Sequence, residues 1–199
     1  MSAHKPLEGV KVVELASFVA APTAGRMMAE MGADVIRVES TAGDPWRFYG
    51  ANCGLPITDE ENPLFDIYNL GKKDIQLNTK TPEGKEILFH LLDEADVFIT
   101  NNRLKSLVRS GLDYESLKDR FPKLIYGLVT GYGQTGPDVD APGYDGVAFF
   151  SRSGMLADMA EPSGYPASAV SEMELQELRF LAVSVQRFLT GCVQEKAIL

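Results

Sequence analysis

The sequence predicts an α/β protein built on a Rossmann-like, doubly wound, mostly parallel sheet. Three observations predict it. Short β-branched runs alternate with helical stretches from Gly9 to Gly133. The first run, helix and run form a β-α-β unit of about 30 residues, which implies a parallel pair joined by a right-handed crossover. Proline and glycine stand where helices should begin and end.

The elements follow in order. "GVKVVEL" (Gly9–Leu15) is short and β-branched, as a buried strand should be. "APTAGRMMAEMG" is helical, with Pro22 suited to a first turn and Gly32 to a left-handed residue just past the end. "ADVIRVE" (Ala33–Glu39) is the second strand, and the polar stretch Ser40–Pro63 is an excursion. "KDIQLN" (Lys73–Asn78) is the third strand. "TPEGKEILFHLLDEA" is the clearest helix: Thr81 can cap it, Pro82 suits its first position, and Ile87, Leu88, Leu91, Leu92 and Ala95 line one face. "DVFITN" (Asp96–Asn101) is the fourth strand. Helical pieces around Leu104–Arg109 and Tyr114–Phe121 lead to "KLIYGLVTGYG" (Lys123–Gly133), a fifth strand ending in a Gly-rich loop.

Composition narrows the function. The chain has 199 residues, is 45% hydrophobic and carries a net charge of −9. That charge argues against a nucleic-acid or anionic-membrane surface, since no basic stripe offsets it. Cys53 and Cys192 lie far apart, which suggests a reducing compartment and neither a disulfide framework nor a zinc site. With only His4 and His90, a His-based triad or metal centre is not expected. The opening "MSAHKPLEGVKVVEL" lacks a basic segment followed by an apolar one, so no secretory signal is expected. No apolar run approaches the roughly 20 residues that span a bilayer. The expected setting is cytoplasmic.

Ligands of such sheets bind at the carboxyl ends of the strands. That selects "ASFVAAP", "STAGDP", "LNTK", "TNNR" and "TGYGQTGP". No GxGxxG and no P-loop follow the first strand. Ala20, Ala21 and Ala24 are small, which lets a ligand approach a helix N-terminus or simply lets the helix pack closely. Lys80, Arg103 and Arg109 fit either a bound anion or a solvated surface.

Taken together, the segments resemble one family. "PLEGVKVVELASFVAAPTAGRMMAEMGADVIRVESTAGDPWR", "NLGKKDIQLNTKTPEGKEILFHLLDEADVFITN", "LVRSGLDYESL", "PKLIYGLVTGYGQTGP" and "PGYDGVAFFSRSG" look like successive blocks of the family III CoA-transferases, over residues 6–170. Within the family, "ELASFVAAP" and "SRSG" look most like enzymes that shuttle CoA between 2-hydroxy acids and 2-enoyl thioesters. The resemblance implies a CoA-binding N-terminal domain over 1–170, followed by an atypical amphipathic tail over 171–199. It implies CoA or acyl-CoA as substrate, no tightly bound cofactor and no metal. It places Phe18, Val19 and Ala20 beside the thioester, and Leu77, Asn78, Thr79 and Lys80 along the adenosine. Asn101, Asn102 and Arg103 would line the pantetheine and phosphate path, with Arg109 meeting phosphate. Gly143, Tyr144 and Asp145 would stand near the acyl site, although Tyr144 and Asp145 also read as a loop-capping pair. Ser40 departs from the pattern, because formyl-CoA transferases carry Arg there as a phosphate contact.

The family's chemistry is covalent catalysis by an Asp, in a Gly-Asp block just after the segment matching "YPASAV". Here "SEMELQ" follows instead, and there is no Asp after Asp158. No catalytic residue can therefore be carried over; the expected Asp is replaced around Ser171–Glu174. Read in the frame that joins each codon's last base to the next codon's first two, Met173–Glu174 becomes Gly and Glu172–Met173 becomes Asp or Asn. "VQEKAI" in that frame allows Thr-Gly-Lys-Gly-Asp, like a later family block. A frameshift-derived tail is the expectation. The rival is a genuine helix, with Ser171 and Glu174 as a capping box and Leu175, Leu178, Leu181, Val185 and Phe188 on one face. Family members are interlocked homodimers, and a chain ending at Leu199 is expected to lack the linking part and transferase turnover. The alternatives are a non-catalytic CoA-binding or regulatory module and a racemase relative.

Overall fold

The computed structural model describes residues 4–58 and 60–154. The chain divides into two units, Met1–Val129 and Thr130–Leu199. The tail 171–199, with Ser171–Glu174 and Cys192, lies outside the described residues.

The first unit alternates strand and helix as the sequence predicts. β1 (Lys11–Leu15), α1 (Ala20–Glu30) and β2 (Asp34–Glu39) form the opening β-α-β unit. Then come α2 (Trp46–Tyr49), a 3₁₀ turn (Gly50–Cys53), α3 (Pro63–Asn69), β3 (Lys73–Gln76), α4 (Pro82–Glu94) and β4 (Val97–Thr100). α5 (Leu104–Ser110), α6 (Tyr114–Leu117) and β5 (Ile125–Leu128) complete it. The five strands are ordered β3-β2-β1-β4-β5 and every pairing is parallel. This is the Rossmann order, and it puts the topological switch point between β1 and β4.

Helices cover both faces. Val13, Leu15, Val38 and Phe98 pack with Leu88 and Leu92 of α4, Leu107 of α5 and Leu117 of α6. On the other face Val12, Val35, Val97 and Ile99 pack with Ala21 of α1. The alternation follows from the two-residue period of a strand.

The local signals acted as expected at the main helix boundaries. Gly32 has φ +105° just past α1, the left-handed position that glycine fills without steric cost. Thr81 caps α4, its Oγ1 accepting from Gly84 N at 3.2 Å. Three expectations need correction. The Ser40–Pro63 excursion contains α2 and the 3₁₀ turn, which are too short to show a hydrophobic period. α3 was not predicted, although Asn62 and Pro63 start it, with Asn62 Oδ1 accepting from Phe65 N. Ile87 is 47% exposed, so the buried stripe of α4 is centred on Leu88 and Leu92. The strands are also shorter than the apolar runs that predict them.

Among the described residues no helix is long and apolar enough to cross a membrane.

Candidate functional site

The site is built where β1 and β4 diverge. β1 ends at Leu15, and the chain then passes through Ser17, Phe18 and Val19 into α1. Asn101, just after β4, clasps this loop from one side. Its Oδ1 accepts from Ser17 N at 3.0 Å and its Nδ2 donates to Ser17 O at 2.7 Å. The neighbouring Thr100 donates its hydroxyl to Leu15 O at 2.7 Å and accepts from Asn102 N at 3.2 Å. Both strand ends are thereby joined by side chain-to-backbone bonds.

On the other side, Asp44 holds the next residue. Phe18 N donates to both carboxylate oxygens, at 3.2 and 3.1 Å. Phe18 has φ +62°, a left-handed conformation uncommon for a bulky side chain. α1 follows directly from Val19, which provides no side-chain cap, and its first turn carries no acidic residue. Uncapped first-turn N–H groups at a switch point favour negative charge in a ligand.

Beneath the loop lies a buried charge network. The sheet register aligns Glu14, Arg37 and Asp74 in one row across β1, β2 and β3. The Arg37 side chain is 0% exposed; it pairs with Glu39 and Asp44, and it lies 3.5 Å from Glu14 and 3.2 Å from Asp74. Lys72 Nζ donates to Glu14 Oε2 at 2.8 Å, to Pro22 O at 2.8 Å and to Asn69 Oδ1 at 3.1 Å. Arg47 bonds Glu39 through Nε and lies 3.8 Å over the Phe65 ring. Burial pushes the Glu14 carboxyl up, opposed by Lys72 and Arg37, and pushes the Lys72 ammonium down, opposed by Glu14. Burial also raises Asp74, opposed by Arg37 and Arg47. Gly25 of α1 makes room for this network, because a Cβ there would collide with Glu14 Oε2.

The predicted residues fall into three groups. Phe18, Val19 and Ala20 follow β1, and Asn101, Asn102 and Arg103 follow the adjacent β4, so both stretches lie at the switch point; Val19 is buried and Arg103 exposed. Leu77, Asn78, Thr79 and Lys80 follow β3, at the same carboxyl edge but three strand spacings from β4, about 14 Å. Asn78 Oδ1 accepts from Lys80 N at 3.2 Å, and Leu77 N donates to Glu39 O at 2.9 Å. Arg109 is exposed in the last turn of α5, about 7 Å along the helix from Leu104. Gly143 and Tyr144 belong to the second unit. There Gly143 packs on Gly131, where a Cβ on either would come within 2.5 Å of the other's Cα. Tyr144 is 55% exposed and precedes a π-helical segment, Asp145–Ser151, and its carbonyl accepts from Ala148 N at 2.7 Å. Ser40 is exposed and bonds Gly43 O. His90 is exposed on α4, and His4 is exposed and pairs with Glu8. No group of His, Cys, Asp and Glu among the described residues could hold a metal.

Sequence reasoning selected the segments that hold Ser17 and Asp44 without assigning either residue a role, and it missed the charge network. One signal was available. Glu14 and Arg37 each stand between apolar neighbours in the interior of a strand, and a charge there must find a partner.

Comparison with known proteins adds to this geometry. The family model for CoA-transferase family III matches residues 7–174, so the match continues past Val170. The cinnamoyl-CoA:phenyllactate CoA-transferase of Clostridium sporogenes is 51% identical over 81% of this chain and 39% of its own length. The (R)-2-hydroxy-4-methylpentanoate CoA-transferase of Clostridioides difficile is 44% identical over 83% of this chain and 41% of its own. A CAIB/BAIF family protein from Brucella suis superposes with a TM-score of 0.72 at 37% identity, over 96% of this chain and 50% of that one. The chain thus spans about two fifths of the length of these curated relatives. By the family match and these similarities, the chain belongs to CoA-transferase family III.

Proposed function

We propose that this chain is the CoA-binding N-terminal part of an enzyme that moves CoA between an acyl-CoA thioester and a carboxylic acid. The observation that carries the reading is the uncapped start of α1, fixed at the switch point by Asn101 and Asp44. Backbone N–H groups held there can stabilise the oxyanion that forms when a thioester carbonyl is attacked. Asn101, Asn102 and Arg103 extend the binding edge on one side, and Leu77 to Lys80 on the other. CoA is the substrate, and nothing in the reading calls for a resident cofactor or metal.

In the proposed full reaction, an Asp carboxylate attacks the thioester carbonyl and expels CoA thiolate, leaving a mixed anhydride. The thiolate then attacks the aspartyl carbonyl, releases the donor acid and leaves an aspartyl-CoA thioester. The acceptor carboxylate reverses the two steps. A carboxylate is a weak nucleophile, so positioning and oxyanion stabilisation supply most of the rate. The relatives' names, cinnamoyl-CoA:phenyllactate and (R)-2-hydroxy-4-methylpentanoate CoA-transferase, favour a 2-hydroxy acid as acceptor.

We place the loss of the nucleophile at Ser171–Glu174, within a frameshifted tail over 171–199. In the family the enzyme is an interlocked homodimer; the proposed state of this chain is CoA-binding without turnover. The replacement of the family's Gly-Asp block by Ser171–Glu174 favours this second, non-catalytic role. Three measurements test these readings. CoA should raise the melting temperature of the 199-residue chain, and a flat response overturns CoA binding. Acyl exchange by a homogeneous preparation overturns inactivity. The coding DNA should read Gly-Asp-Gly across Ser171–Glu174 in the shifted frame, and the lack of a Gly-Asp pair there ends the frameshift reading.

A further inference from the structure

We infer that Asp44 is a positioning residue. Its carboxylate holds the Phe18 backbone in the left-handed conformation and so sets the direction in which the first N–H groups of α1 point. The inference deepens the CoA-binding reading and rests on it for the identity of the ligand.

Phe18 is the one described non-glycine residue with positive φ. A bulky residue keeps such a conformation only where its surroundings over-determine it. Two independent holds do so. Asn101 takes both polar backbone groups of Ser17, which fixes the peptide before Phe18. Asp44 then takes the Phe18 N–H on both oxygens. The same carboxylate accepts from Trp46 N at 2.9 Å, and the Trp46 ring lies 6.4 Å from the Phe18 ring. One side chain therefore orders both the backbone of Phe18 and the aromatic group its ring meets.

Asp44 is itself held from within the sheet. Arg37 pairs with it and also stands against Glu14, four residues before Phe18 on the same strand and loop. Glu14, Arg37, Asp44 and Phe18 close a ring around the end of β1. Loop direction is thus tied to the sheet interior rather than to contacts made by the loop alone. A rival role is local: Asp44 merely caps the turn at Trp46, as an Asp before Pro45 commonly does. The two roles differ in what happens at Phe18.

Residue-resolved amide exchange on the full 199-residue chain separates them. In the wild type the Phe18 amide, which belongs to no strand or helix, should exchange at least 100-fold slower than an unprotected amide; an unprotected rate overturns the proposal. Asp44→Asn should speed exchange at Phe18 at least tenfold while leaving the Asp96 amide, bonded to Lys11 O in the sheet, unchanged. No change at Phe18, or an equal rise at both amides, overturns it. If Asp44→Asn does not fold, the wild-type measurement decides. A CoA titration adds the functional arm. Asp44→Asn should weaken CoA binding about tenfold, and equal affinity in the two proteins overturns the positioning role. If the wild type binds no CoA, the CoA reading fails, and exchange at Phe18 still decides the clamp.

Discussion

The side-chain amide of Asn101 satisfies both backbone polar groups of Ser17, donating to its carbonyl at 2.7 Å and accepting from its N–H at 3.0 Å. No other side chain type of this size offers a donor and an acceptor side by side without charge. Asn101→Ala should destabilise the protein by about 1–2 kcal/mol, since two part-buried groups lose their partner. Asn101→Asp should cost more at neutral pH, because a carboxylate oxygen then faces the Ser17 carbonyl. Below its own pKa the new acid can donate again, so the gap between the two variants should close in acid. Urea denaturation at neutral and acid pH reads both effects, and a gap independent of pH contradicts the account.

Gly25 tests the packing of α1 on the charge network. A methyl group there meets the Glu14 carboxylate, which cannot retreat without leaving Lys72. Gly25→Ala should cost about 3 kcal/mol or more, well beyond ordinary overpacking. Gly146→Ala, where nothing lies within 4 Å, is the control and should stay within about 0.5 kcal/mol. Equal melting temperatures for the two variants would sink this reading.

The Glu14–Lys72 pair should behave as a unit. Lys72→Met leaves a buried carboxylate with one main cation, and should cost about 3–5 kcal/mol. Adding Glu14→Gln should recover part of that loss, so the double variant is more stable than Lys72→Met alone. A double-mutant cycle gives the coupling directly. Additive losses would contradict a shared network.

The same pair sets a pH dependence whose sign can be worked out. The folded Glu14 carboxyl titrates above its ordinary value of 4.5, so its contribution is complete below 4.5 and is lost as pH rises through the raised value. Lys72 titrates below its ordinary 10.5, so its contribution is complete above 10.5 and is lost as pH falls through the lowered value. Both groups therefore weigh against the folded state most heavily around neutrality. The stability of Glu14→Gln/Lys72→Met relative to wild type should rise as pH climbs from 4.5 toward neutrality. Paired urea midpoints across that window test it, and a constant difference contradicts it.

Ser40 gives a gain-of-affinity test. It is exposed immediately after β2, at the carboxyl edge between the ends of β1 and β3. Ser40→Arg should tighten CoA binding several-fold at low salt, with the gain shrinking as ionic strength rises. Calorimetric titration at two salt concentrations reads this. Unchanged affinity at low salt means that CoA phosphate does not pass this edge.

The fold was legible because its signals are local and repeated. β1, β2 and β4 appear as β-branched runs, and Pro22, Gly32, Thr81 and Pro82 mark helix ends by their own conformational limits. The strand ends likewise follow from topology, which sets the loop after β1 beside the residues after β4. What stayed hidden depends on pairings distant in sequence. Asp44 reads as a turn residue before a proline, and nothing local says that its carboxylate reaches back to Phe18. Arg37 reads as an anomaly in a strand until the register supplies Glu14 on one side and Asp74 on the other. α3 was missed because a seven-residue helix offers too little hydrophobic period, even with a good cap.

The charged row has a consequence for how the chain assembles. Slipping β2 by one residue against its neighbours would turn Arg37 toward the leucines of α4 and leave Glu14 facing α1 without a guanidinium. An all-apolar row would tolerate that slip, since one leucine can replace another. Three charges contributed by three separate strands cannot, so the row works as a lock cut for a single key: mis-registered sheets are rejected by the cost of a stranded ion. The final turn of that lock is β3, which brings Asp74 and, just before its first residue, Lys72. Correct pairing of the first two strands is thus ratified only once the third arrives.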